Sequence, residues 1–134
     1  MKKVLLVLVT IFLSGCFGTG NGEKNSEKNI ELGKITFKKN CAICHGKAAQ
    51  GLVADWKTPI NGKYPAPPLN GTAHGWHHSP KLLLSTINAG GVRFGGTMPG
   101  FQNQLSAAEK QAILDYLFSL WPAEIQQKYS SRFK

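Results

Sequence analysis

Residues 41–45 read Cys-Ala-Ile-Cys-His, and this stretch limits what the chain can fold into more than any other. Two cysteines separated by two residues and followed at once by histidine form the attachment site of a c-type haem. The spacing has a mechanical reason. Both thiols add to vinyl groups on one edge of the porphyrin, and the next residue then lies below the iron. Cys41 and Cys44 therefore supply the covalent bonds and His45 the proximal ligand. Other readings of the same residues lack partners. A structural zinc site needs four ligands, usually from two such pairs, and a single pair exists. A redox dithiol belongs beside a strand-helix-strand pattern, of which there is no sign. A plain disulfide leaves His45 unexplained.

A chain of 134 residues with 42% hydrophobic content makes one domain once a leader is removed. Its own core is modest, and a buried porphyrin adds a large apolar body to it. From the Cys41–His45 motif and the stretches described below, roughly residues 30–121 resemble a small single-haem class I cytochrome c. The resemblance implies an all-α fold, with three to five helices and long loops wrapped around one covalently bound haem c. It also implies electron transfer.

Lys2 and Lys3 precede an apolar run from Val4 to Leu13, the length of a signal-peptide core and short for a bilayer span. The run exits through Leu13-Ser14-Gly15-Cys16, which resembles the bacterial lipoprotein box, in which the cysteine is acylated and becomes the new amino terminus. Residues 1–15 are thus expected to be a lipoprotein signal peptide and Cys16 the lipidation site, a plain secretory leader being the alternative. More than one acyl chain makes membrane attachment lasting. The resemblance places the protein outside the cytoplasm, periplasmic or on the extracytoplasmic face of a membrane. With Phe17 rather than aspartate after the cysteine, it points to the outer membrane if the organism is Gram-negative. Residues 16–29, rich in Gly, Asn, Glu and Lys, read as a flexible tether. The cytochrome c domain is then 30–134.

Ile30, Gly33, Phe37 and Cys41 recur at helical spacing and predict a first helix. By the resemblance, Gly33 and Phe37 pack against the last helix. That helix is announced by Ser106-Ala107-Ala108-Glu109, a capping box. Ile113, Leu114, Leu117, Leu120 and Trp121 form its apolar face, and Pro122 stops it. A short helix over 123–129 and a fraying tail follow. Between them Ser79-Pro80 starts a helix that Gly90 ends. Residues 57–78 and 91–105 read as loops.

The mature chain has one methionine, Met98, in Gly95-Gly96-Thr97-Met98-Pro99-Gly100-Phe101. The stretch resembles the family's distal loop, whose methionine sulfur binds iron opposite the histidine, which raises the reduction potential. A packing methionine is the alternative. His74, His77 and His78 offer two others, a bis-histidine haem or a second metal such as copper. Pro67-Pro68-Leu69 resembles the family segment in which a proline carbonyl, here that of Pro67, accepts the proximal histidine's other N–H and orients it. Leu69 then packs on the porphyrin. Trp56, Tyr64, Trp76 and Arg93 are candidates for propionate contacts.

Removing residues 1–15 takes away two lysines and no acids, leaving 14 Lys+Arg against 7 Asp+Glu, formally +7. Such a surface attracts acidic redox partners or anionic lipid. Nucleic-acid binding, the other meaning of a basic chain, does not suit an exported haem domain. With both axial positions filled by protein there is no open site for a small-molecule substrate. The chain therefore reads as an electron carrier rather than an enzyme, shuttling single electrons between extracytoplasmic partners. A haem-bearing subunit of a respiratory oxidoreductase complex is the alternative, together with a copper or small-ligand binding haem protein using the three histidines.

Overall fold

The computed structural model describes residues 20–133. The leader, Cys16 and residues 17–19 of the tether lie outside the described residues. Among the described residues there are five α-helices, α1 (Gly20–Asn40), α2 (Ala42–His45), α3 (Pro80–Ala89), α4 (Ala107–Ser119) and α5 (Ala123–Arg132), and two single 3-10 turns, His74–His77 and Val92–Phe94, within the stretches expected to be loops. Among the described residues there is no strand, and two isolated bridges, Ile60 to Lys63 and Tyr64 to Gly96, pin the intervening loops. The fold is all-α.

α1 begins ten residues before Ile30, so residues 20–29 of the expected tether are helical. Glu and Lys are good helix formers, and Glu23 lies in the first turn, where its charge suits the helix end. Once the packed half from Ile30 onward has met the cost of nucleation, adding turns outward is cheap. The side chains of residues 23–29 stay exposed.

α1 crosses α4 at Gly33. A Cβ there would overlap the Ala112 carbonyl oxygen and come within 2.8 Å of Tyr116 Cβ, so only glycine allows this approach. One turn on, Phe37 is fully buried with its ring 5.5 Å from that of Tyr116. Around this crossing Ile87, Phe101, Leu105, Ile113, Leu114 and Leu117 close the core. Burying such side chains contributes on the order of 2 kcal/mol each.

The capping box of α4 is present in full: Ser106 Oγ accepts the Glu109 N–H, and the Glu109 carboxylate accepts the Ser106 N–H at 2.8 Å. Those bonds hold the Glu109 carboxyl below its ordinary range. α3 starts with Ser79 Oγ accepting the Leu82 N–H, with Pro80 in its first turn. The C-terminus departs from expectation. α5 runs to Arg132 instead of fraying after Tyr129. Tyr129 packs its ring 4.9 Å from Trp121 and 4.8 Å from Phe133, and this aromatic row holds the last turns against the end of α4.

Candidate functional site

The site is assembled where α1 ends. The Cys41 N–H still donates to Phe37 O at 2.8 Å, continuing the helix, and the His45 N–H donates to Cys41 O at 2.9 Å. The single turn of α2 therefore points Cys41, Cys44 and His45 from one rigid corner. Cys41 packs against the core, while Cys44 is exposed. Burial, and to a lesser extent Cys44, push the Cys41 thiol up to about 11. A thiol held protonated is a poor nucleophile, so Cys41 is not poised to start thiol–disulfide exchange.

His45 is buried, and its Nδ1 lies 2.9 Å from Pro67 O. A carbonyl only accepts, so Nδ1 carries the proton and Nε2 keeps its lone pair free for a metal. Burial lowers the His45 pKa, and the bond to Pro67 partly offsets that. The Pro67 segment is itself fixed by backbone. Gly51 N–H donates to His45 O at 2.7 Å, and Ala49 O accepts from Leu69 N–H at 2.7 Å and Asn70 N–H at 3.2 Å. Ala49 makes this turn with φ 55°, a left-handed conformation unusual for alanine, and is fully buried. From the far side Trp121 Nε1 donates to Leu69 O at 2.8 Å.

Met98 stands on the loop between α3 and α4, half-buried against the same core as Cys41 and Leu69. Its carbonyl accepts the Gly91 N–H at 3.0 Å. At Gly90, with φ 83°, a Cβ would come within 2.6 Å of Met98 O, so the loop folds back too tightly for any side chain there.

One cleft joins the three motifs. It is lined by Ile43 and Cys44, by Pro65 and Ala66, by Thr97, and by Leu52 and Val53. Thr97 adjoins Met98, and Ala66 adjoins Pro67. Ile43 is 81% and Leu52 65% exposed, aliphatic surface that a flat apolar group between the loops would cover. Free thiols, a free imidazole Nε2 and apolar walls are the donor set and lining that haem c needs, so the residues fit the group. Leu69 does not line this cleft. It opens on a second apolar cavity of about 120 Å³ with Leu83, Leu114, Leu117 and Trp121. Leu52, Val53 and Thr97 escaped sequence reasoning because nothing in a loop's composition says which face it turns inward.

The four propionate candidates lie elsewhere than on the cleft lining. Trp56 stacks on His74 at 5.1 Å, Trp76 packs on His77 at 3.8 Å, and Arg93 sits 4.7 Å over Phe94. Tyr64 lies against Gly95. The three-histidine copper site is not formed. His74 meets His78 edge-on at 5.2 Å while His77 turns onto Trp76, and among the described residues no three His, Cys, Asp or Glu side chains gather as a metal site. Each of these rings is taken up by an aromatic neighbour. Burial, His78, His77 and Lys57 together lower the pKa of His74.

An all-α fold whose Cys-x-x-Cys-His corner opens on an apolar cleft defines a class I c-type cytochrome. The family model for cytochrome c oxidase, cbb3-type, subunit III matches residues 28–117, and the chain belongs to that family. Among curated relatives, the cbb3-type cytochrome c oxidase subunit CcoP of Azospirillum sp. (strain B510) is 28% identical over 100 residues, covering 75% of this chain and 31% of that protein. The CcoP subunit of Rhodobacter capsulatus is 32% identical over 107 residues, covering 75% of this chain and 32% of that protein. The chain thus spans about a third of the length of these relatives. Cytochrome cL from the methylotroph Methylophaga aminisulfidivorans MPT has the same fold, with a TM-score of 0.52 at 21% identity over 81% of this chain and 70% of that one. The cofactor is haem c, whose iron takes up and releases one electron. Among the described residues no helix is long and apolar enough to cross a membrane.

Proposed function

We propose that this chain is the haem-bearing, electron-transferring member of a respiratory assembly of the cbb3 oxidase kind. Cys41 and Cys44 hold the porphyrin by thioether bonds, with His45 Nε2 and the Met98 sulfur as axial ligands. Pro67 O keeps the imidazole in the tautomer and orientation that ligation needs. The convergence of Cys44, Ala66 and Thr97 on one cleft carries this reading, because three motifs distant in sequence then serve one group. The named relatives favour an oxidase subunit over a free shuttle.

Charge supports a negatively charged partner. From Leu32 to Ala108 there are eight lysines and arginines and one acid, Asp55, while the other acids sit at the two ends of the chain. The exposed Ile43 and Leu52 therefore lie within a predominantly basic segment, which speeds encounter with an acidic surface. Cys16, acylated, anchors the domain to the extracytoplasmic face of a membrane, with the residues up to Asn29 as spacer.

The test is expression of the full chain with haem maturation in a periplasm, followed by mass, spectra, redox titration and purification from detergent-solubilised membranes. A mass increase of one haem, a sulfur-to-iron charge-transfer band in the oxidised state and co-migration with oxidase subunits are expected. Colourless protein refutes the haem reading. A coloured protein that migrates alone makes the chain a shuttle instead of a subunit. Mass analysis of the amino-terminal peptide reads the acylation of Cys16 separately.

A further inference from the structure

Lys110 is the fourth residue of α4 and is buried, with 9% of its surface exposed. A lysine costs stability there on two counts. The amino end of a helix carries partial positive charge, and a buried ammonium needs partners to replace water. No carboxylate supplies them, since among the described residues the sole ion pair joins Lys34 to Glu31. Lys110 Nζ donates instead to Asn88 Oδ1 at 2.7 Å and to Gln102 O at 3.3 Å. Asn88 belongs to the last turn of α3, whose carbonyl end favours a cation.

Asn88 and Gln102 are the two ends of the segment that carries Met98. They are already joined across its stem: Gln102 N–H donates to Asn88 O at 3.2 Å, and Phe101 N–H donates to Ile87 O at 2.9 Å. A Cβ on Gly100 would come within 2.6 Å of Asn88 O, so the stem is closed to backbone contact. Beyond the stem, Met98 O accepts the Gly91 N–H, and the rest of the loop is tied by Gly96 N–H to Gly91 O at 3.2 Å and Tyr64 N–H to Gly95 O at 3.0 Å. Among the described residues the ammonium is the one side-chain group that binds both ends of this stem and belongs to the core helix.

We propose that Lys110 is a positioning residue for Met98, its ammonium clamping the loop stem to α4 so that the thioether is held at the iron. This rests on the reading of Met98 as axial ligand. Added imidazole reaches the iron only when Met98 leaves, so its apparent affinity measures how firmly the loop is held.

The experiment uses the haem-loaded full chain, its Lys110→Met, Lys110→Arg, Asn88→Ala and Met98→Ala variants, and imidazole as the probe. Three quantities are read: the sulfur-to-iron band, the imidazole affinity and the thermal midpoint. Lys110→Met should weaken the band and tighten imidazole roughly tenfold, the loss expected for a charged hydrogen bond. Asn88→Ala, which leaves Lys110 in place, should shift the affinity in the same direction by less, and Lys110→Arg should restore most of it. A lowered midpoint with wild-type band and imidazole affinity in both Lys110→Met and Asn88→Ala would overturn the proposal. If Lys110→Met does not fold, Asn88→Ala decides it alone. A Met98→Ala variant with unchanged band and affinity would instead refute the ligand assignment on which the proposal stands.

Discussion

The loops on the two sides of the cleft are built differently. The proximal one, residues 46–70, is held by backbone: Ala49 O accepts two amide N–H groups, His45 O accepts a third, and Pro67 O accepts the imidazole N–H. The distal one, residues 90–102, has backbone bonds too, at its stem from Phe101 and Gln102 N–H and within it from Gly91 N–H to Met98 O, but it is threaded through glycines and its stem is fastened to α4 by a side-chain ammonium. Backbone bonds survive most substitutions, whereas a side-chain clamp is lost with a single residue. On the ligation proposed above, the histidine side should therefore be the more firmly held and the methionine side the more readily exchanged, a division suited to tuning a potential without losing the cofactor.

Substitutions can break or sharpen that contrast. Gly90→Val should have the largest effect, because the left-handed φ and the contact with Met98 O both oppose a side chain. A loss of about 3 kcal/mol or more is expected, read as a fall in the thermal midpoint. A variant as stable as wild type would show the distal loop to be looser than described.

Met98→Ala comes next. On the proposed ligation, losing the thioether disfavours the ferrous state, so the potential falls by roughly 60 mV for each tenfold loss of ferrous preference. Potentiometric titration measures it, and an unchanged potential would remove the distinction between the two sides.

Trp121→Phe keeps the ring packing but leaves Leu69 O without its indole donor. It should cost about 1 kcal/mol in denaturant unfolding while leaving the sulfur-to-iron band intact, since only the proximal loop is touched. Pro67→Ala should do least. The acceptor for His45 is a carbonyl that alanine also has, so stability should change by less than about 1 kcal/mol and the potential hardly at all. A large potential shift there would mean that the proline ring, and not the backbone, sets the imidazole.

Part of the candidate site is legible in the sequence. The Cys41–His45 corner is a local covalent pattern, and the helix starts at Ser79 and Ser106 are local capping chemistry, so both can be read from neighbours in the chain. That residues 20–29 are helical was not legible, for a related reason. Composition shows that these residues have little to bury, but not that a packed helix is already there to extend.

What the chain's order determined, then, was the haem chemistry, the all-α character and the glycine at the crossing of α1 and α4. What the tertiary structure alone decided was the lining of the cleft by Leu52, Val53 and Thr97, the left-handed turn at Ala49, the separation of the three histidines, and the burial of Lys110. The reason is distance along the chain. The bonds of His45 to Pro67 and of Lys110 to Asn88 each span 22 residues, and contacts of that range depend on how the loops are laid over the core rather than on any local preference.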